Sequence, residues 1–244
     1  MSKIIAVTSG KGGVGKSTVS VGLGQAISRS GKTAVIVELD SGLRGIDIML
    51  GVENEVVYDF GDLLSGECSV EEVAVSVEAC PGLSLIVAST SLSAALNFER
   101  MAEIFKMLKA QFDYVILDMP AGIALSLCLI PSVADMALLI TTPDYISVRD
   151  SGKMVSALAE QGFLGCRLLI NKVNTKYRRM NAIKDMDEVL DGVGVPLIGV
   201  LPDDTRLHTA YAAGELLEGD TAPAIVFGRI AKRIEGEYTP LYIQ

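Results

Sequence analysis

The chain has 244 residues, half of them apolar, no Trp and a formal net charge of -9. That size and apolar content suit one large α/β domain with a substantial core and exclude a disordered chain, and the negative balance disfavours a broad nucleic-acid surface, whose affinity comes mostly from Lys and Arg. Cys68, Cys80, Cys128 and Cys166 form no CxC or CxxC pair, no secretory leader is seen, and no apolar run reaches the roughly 18 residues that span a bilayer, so a cytoplasmic protein with reduced thiols is expected.

The first run, "KIIAVTS" (3–9), is apolar and stops in glycines, and helix-forming spacing then runs from Lys16 to Arg29. Strand, loop and helix succeed one another. The alternation continues: "TAVIVELD" (33–40), "LSLIVAS" (83–89), "DYVILDM" (113–119), "ADMALLITT" (134–142), "CRLLINK" (166–172) and "PLIGVLP" (196–202) read as buried strands. Helices are expected near 55–65, 97–110, 121–131, 147–161, 180–191, 205–214 and 222–235. This order implies an α/β fold, a doubly wound and mainly parallel sheet with helices on both faces. No linker or repeat divides it, so residues 1–235 are expected to form a single domain with a short tail after it, 236–244. Ligands of such sheets sit beyond the carboxyl ends of the strands, which directs attention to the residues after each strand.

Gly10, Gly15, Lys16 and Ser17 fit G-x-x-x-x-G-K-[ST] in the strand-to-helix context that the motif requires. Backbone N–H groups from Gly10 through Thr18, including Lys11, Gly12, Gly13 and Val14, would approach phosphate oxygens. Lys16 would neutralise the β- and γ-phosphates, and the Ser17 hydroxyl would ligate Mg²⁺. Asp118 ends the hydrophobic strand "YVILD" and is the candidate second carboxylate of the Mg²⁺ shell, although apolar strands ending in a capping Asp are common. Glu38 and Asp40 end the second strand two residues apart, so a strand period of two points both toward one cleft, where one could position or deprotonate the attacking water. Asp47 reads as a helix cap or a surface pair. Asn171, with Lys172 next to it, offers donor and acceptor to an adenine edge, or simply turn chemistry. From Arg167 to Lys184 there are six basic residues and no acid, Arg167, Lys172, Lys176, Arg178, Arg179 and Lys184, either a solvated face or a partner patch. His208, the only histidine, receives no catalytic role.

The loop "KGGVGKS", with Lys11 as well as Lys16, resembles the deviant P-loop of the MinD/ParA family of dimerising ATPases, whose signature is the extra lysine. "SGLRGIDIMLGVENEVVYDF" (41–60), "DMPAGI" (118–123), "SVRDS" (147–151) and "AAGE" (212–215) resemble, in the same order, stretches of its MinD-type, septum-site-determining members. The resemblance implies ATP and ADP as ligands, Mg²⁺ as cofactor, and an ATP-dependent homodimer in which Lys11 reaches the partner's phosphates. It also implies Asp40 in switch I near water and Mg²⁺, Asp118 in switch II, Asn171 on adenine, and the backbone around Pro202 and Asp203 closing the base pocket. A MinC-like division inhibitor and a MinE-like or other regulator are the implied partners, with hydrolysis slow until stimulated.

Three departures from the family pattern stand out. Glu38 occupies a usual Asp position and Gly45 a frequent Asn position. The third is the tail, "EYTPLYIQ" with Pro240 inside it, where an amphipathic anchor helix is usual; Tyr238, Leu241, Tyr242 and Ile243 are expected to give at most a weak peripheral membrane contact. Competing readings are a ParA-type DNA-partition or flagellar-placement ATPase, a metal-cluster maturation carrier, and a bacterial tyrosine kinase.

Overall fold

The computed structural model of the chain describes residues 2–41, 44–89, 97–174 and 185–242. Its centre is an eight-stranded sheet in the order β3-β4-β2-β5-β1-β6-β7-β8. The seven expected strands are present as β1 (Lys3–Thr8), β2 (Ala34–Glu38), β4 (Leu83–Ile86), β5 (Tyr114–Asp118), β6 (Met136–Thr141), β7 (Cys166–Val173) and β8 (Leu197–Pro202), all paired in parallel. The remaining strand, β3 (Val75–Ser76), lies antiparallel to β4 at the sheet edge. Two residues are too few to show a period of two, so no sequence signal announces it.

Strand side chains alternate between two cores. Ile4 and Ala6 face one and Ile5 and Val7 the other, and both layers are almost fully buried. This is the doubly wound arrangement that near-continuous apolar strands require, because each face must be covered by helices. The long helices are α1 (Lys16–Arg29), α5 (Phe98–Gln111), α6 (Ala124–Val133), α7 (Tyr145–Glu160), α8 (Met186–Val193), α9 (Thr205–Ala212) and α10 (Ala222–Ile234). Three short ones, α2 (Ile46–Leu50), α3 (Phe60–Ser65) and α4 (Val70–Val73), fill the connection from β2 to β3. Helix starts obey local chemistry: Asn97, Asp144, Asp185, Asp204 and Thr221 each accept a backbone N–H of the helix they precede. Asp59 and Asp62 form a reciprocal capping box, which is why α3 begins at Phe60 and not near residue 55.

Packing of α10 on α1 depends on one missing side chain. A Cβ on Gly22 would lie 2.2 Å from the Phe227 ring. Phe227, Ile230 and Ile234 are buried and form the core-facing stripe of α10. Residues 236–242 then fold back on α10: Arg233 donates to the carbonyls of Ile198 and Thr239, and Arg229 donates to the Pro240 carbonyl with its guanidinium 5.0 Å from the Tyr242 ring centre. Tyr238 is 94% exposed. Ile243, and Lys176, Arg178, Arg179 and Lys184 of the basic run, lie outside the described residues. Among the described residues no helix is long and apolar enough to cross a membrane.

Candidate nucleotide-binding site

β1, the inner strand between β5 and β6, ends at Thr8, and its chain continues through Gly10–Gly15 into α1. Gly13 (φ 75°) and Gly15 (φ 97°) take backbone conformations that side chains resist, and a Cβ on Gly15 would lie 2.4 Å from Asn171 Nδ2. The end of β7 holds this loop from outside. Asn171 Nδ2 donates to the Val14 carbonyl at 2.8 Å, and Lys172 Nζ donates to the Gly13 carbonyl at 2.8 Å. In a planar trans peptide the N–H opposes the C=O, so anchoring these two carbonyls turns the N–H groups of Val14 and Gly15 the other way. Lys172 is itself at φ 58°, the one described non-glycine residue with positive φ, at an irregularity where β7 loses register with β8. Gly10 backs onto α7, where a Cβ would meet the Asp150 carbonyl oxygen at 2.5 Å.

At the mouth of the loop Lys16 is buried, and Asp118 is fully buried behind it. Ser17 Oγ donates to Asp118 Oδ2 at 2.7 Å and Ser20 Oγ to Oδ1 at 2.8 Å. Burial pushes the Asp118 carboxyl up to about 6; the two hydroxyls and the Lys16 charge pull the other way, and the neighbouring Glu38 charge adds to the rise. Glu38 stands opposite Asp118 in the β2–β5 register and is also buried. Its Oε1 accepts the N–H groups of Gly45 and Ile46 and its Oε2 that of Ala88. Burial raises its carboxyl, opposed by those three bonds.

Beyond the loop lies a cleft of about 310 Å³, bordered on the side of this loop by Gly13, Gly15, Lys16, Ser17, Thr18 and Asp40, and on the far side by Asn171, Lys172, Pro202, Leu207 and His208. His208 Nε2 is 3.3 Å from Asp203 Oδ1 at its rim. Lys11 does not border the cleft. Its side chain is 41% exposed, and its Nζ is 3.3 Å from Asp144 Oδ1 at the start of α7. Burial acts to raise the Asp144 carboxyl, but bonds from the Thr142 hydroxyl, the Ser147 N–H and Lys11 outweigh it and hold the group below its ordinary value.

The structure therefore brings Lys16, Ser17 and Asp40 to one end of a single cleft, with Asp118 buried behind Ser17 and bonded to it, and Asn171, Lys172 and Pro202 at the other end. Glu38 points elsewhere, into the backbone of two neighbouring loops. Asn171 is 3% exposed, with its amide nitrogen on Val14 and its oxygen on the N–H of Lys172. Asp47 is buried and paired with Arg44 at 2.8 Å, and its Oδ1 accepts the N–H of Ile48 in the first turn of α2, whose N-cap position is Gly45. Sequence reasoning missed Ser20 and Asp144, and did not place His208 at the cleft. Ser20 had a signal, since it falls three residues after Ser17 on the same helix face. His208 lay a few residues past the end of β8, where ligands of such sheets gather, while nothing local linked Asp144 to Lys11.

The parts suit a nucleotide and its metal. Glycines stand at Gly10 and Gly15 where a Cβ would collide with Asp150 of α7 and Asn171 of β7. Ser17 and Asp118 offer an all-oxygen donor set of the kind Mg²⁺ prefers. The CobQ/CobB/MinD/ParA nucleotide binding domain family matches the chain over residues 5–217. Septum site-determining protein MinD of Synechocystis sp. is 37% identical over 244 residues, covering 98% of this chain and 92% of that protein. The Bacillus subtilis protein of the same name is 35% identical over 248 residues, covering 100% and 92%. In the solved MinC:MinD cell division protein complex of Aquifex aeolicus, one chain superposes with a TM-score of 0.90 at 28% identity, covering 99% of both chains. A phosphate cradle on a doubly wound sheet, with a second lysine beside it and likeness along the whole chain, makes this protein a member of the MinD/ParA family of P-loop ATPases, on its MinD-like side.

Proposed function

We propose that the chain is a Mg²⁺-dependent ATPase switch that dimerises on ATP and acts in placing the division site. The observation that carries this is the meeting of the glycine cradle, buried Lys16, the Ser17–Asp118 pair and Asp40 around one cleft. The N–H groups of the loop and the Lys16 ammonium bind the phosphates. Ser17 would hold Mg²⁺ directly, with Asp118 and Asp40 through water; the ion supplies charge neutralisation at the phosphate oxygens. Asp40 orients the attacking water, since phosphoryl transfer to water needs placement and charge stabilisation more than covalent chemistry. Pro202, Asp203, Asn171 and Lys172 form the base end of the site.

Lys11 is the element that requires a second copy. It stands outside its own cleft and half in solvent, so its charge is available to a neighbour's phosphates. A cation supplied in this way is worth on the order of 10³–10⁵ in rate. The Aquifex protein was solved with MinC, which supports a MinC-like inhibitor as the partner of the closed dimer. A MinE-like or other regulator would stimulate hydrolysis, and the inner membrane surface is the proposed place of action.

Sizing of the purified protein with ADP and with a slowly hydrolysed ATP analogue tests the switch. A dimer with the analogue only, retained with ATP when Asp40 is changed to Ala, is expected. A monomer under every condition refutes the proposal.

A further inference from the structure

Glu38 ends β2 with 1% of its surface exposed and does not border the nucleotide cleft. A buried carboxylate is costly unless its oxygens are occupied. Oε1 accepts the N–H of Gly45 at 3.0 Å and of Ile46 at 3.3 Å, and Oε2 accepts that of Ala88 at 3.3 Å. These donors belong to two separate loops. Gly45 and Ile46 open α2, and its N-cap residue, Gly45, has no side chain with which to accept a first-turn N–H. Ala88 lies just past the end of β4.

The chain between these points is short and carries Asp40. At its start, Leu39 donates its N–H to the Asp118 carbonyl at 3.0 Å, and Glu38 lies in register with Asp118 itself. At its end, Gly45 and Ile46 return to the Glu38 carboxylate. The chain is thus tied at Leu39 to Asp118 of β5 and at Gly45 and Ile46 to Glu38 of β2, on either side of Asp40. Bonds that fix the chain on both sides of Asp40 limit where Asp40 can stand.

We propose that Glu38 is a positioning residue whose carboxylate clamps Gly45, Ile46 and Ala88 and so sets the place of Asp40 relative to Ser17 and Asp118. This rests on the reading of Asp40 as the residue that orients water; Glu38, buried and outside the cleft lining, acts through it. Side-chain length matters as much as charge. Glu38→Asp withdraws the carboxylate by about 1.5 Å, one C–C bond, so that it cannot serve both loops. Glu38→Gln keeps the length but turns an amide donor toward an N–H donor.

The test compares the full chain with both variants by ATP hydrolysis, ADP affinity and amide hydrogen exchange. In each variant kcat is expected to fall about 10- to 100-fold, the loss that misplacement of a reacting group produces. KM and ADP affinity should stay within about threefold, because the interactions that bind the ground state are untouched. Exchange should quicken at Gly45, Ile46 and Ala88 and not in the P-loop. Unchanged exchange at these amides overturns the clamp. So does quickened exchange with unchanged kcat, or loss of ADP affinity together with kcat. In the unaltered chain the same amides must exchange slowly, and fast exchange there overturns the clamp whether or not the variants fold. If the unaltered chain hydrolyses no ATP, the ATPase reading fails by itself, and the exchange data still decide the clamp.

Discussion

Gly15→Ala is the sharpest probe of the cradle because two independent costs meet at one atom. Gly15 sits at φ 97°, where a residue with a Cβ loses roughly 1–3 kcal/mol. The new Cβ would also lie 2.4 Å from Asn171 Nδ2, which must move and give up its bond to the Val14 carbonyl, about 1 kcal/mol more. The sum is about 2–4 kcal/mol. If the loop keeps its shape, that free energy is lost from stability, lowering the thermal midpoint by several degrees, at roughly 2–4 °C per kcal/mol for a chain of this size. If the loop relaxes, it is lost from binding, and ADP affinity falls about 30- to 700-fold. Thermal unfolding and titration calorimetry with Mg·ADP, run on the same samples, capture both routes. Adding Asn171→Ala removes the collision but not the backbone strain, so the double variant should recover only part of the loss. A Gly15→Ala protein with an unchanged midpoint and unchanged ADP affinity would refute the account of the cradle.

Asp118 carries a pH signature. Its folded pKa of about 6 lies above its ordinary value of 3.8, so the folded state binds the extra proton, and stability without nucleotide falls as pH rises between those values and then levels off. Asp118→Asn should flatten that stretch in thermal unfolding against pH, raise the midpoint at pH 7, and abolish hydrolysis; a slope that persists would assign the proton elsewhere. Lys11→Ala should leave ADP affinity within about threefold while lowering ATP turnover by on the order of 10³ and abolishing the analogue-induced dimer, as sizing and phosphate release would show. Asp144→Asn frees Lys11 from a half-exposed pair worth at most about 1 kcal/mol, so the dimer dissociation constant should move less than about fivefold, by analytical ultracentrifugation. Arg233→Ala removes the donor that ties Thr239 to Ile198 and should make residues 236–242 quick to cleave in limited proteolysis, with ATP hydrolysis unchanged.

Much of the fold was legible because its signals are local. Seven buried strands, the loop at Gly10–Ser17 and the carboxylate at the end of "YVILD" can be read from apolar runs, glycine spacing and the residue types at strand ends, and the structure places them together. Helix starts were legible only to within a few residues, since the capping side chains decide them. Edge strand β3 was not, because its two residues gain their partner only when β4 is beside them.

The second lysine and the acidic pair of β2 divide along the same line. That Lys11 exists beside Lys16, and that Glu38 and Asp40 leave β2 together, was written in the sequence. That Lys11 rests on Asp144, 133 residues away, and that Asn171 spends its amide on Val14, 157 residues away, was not. Periodicity and motif spacing report what a few consecutive residues prefer. The fate of a buried polar group depends on which donors the finished fold brings within roughly 3 Å of it, and for Glu38 those donors belong to two loops that meet only in the tertiary structure.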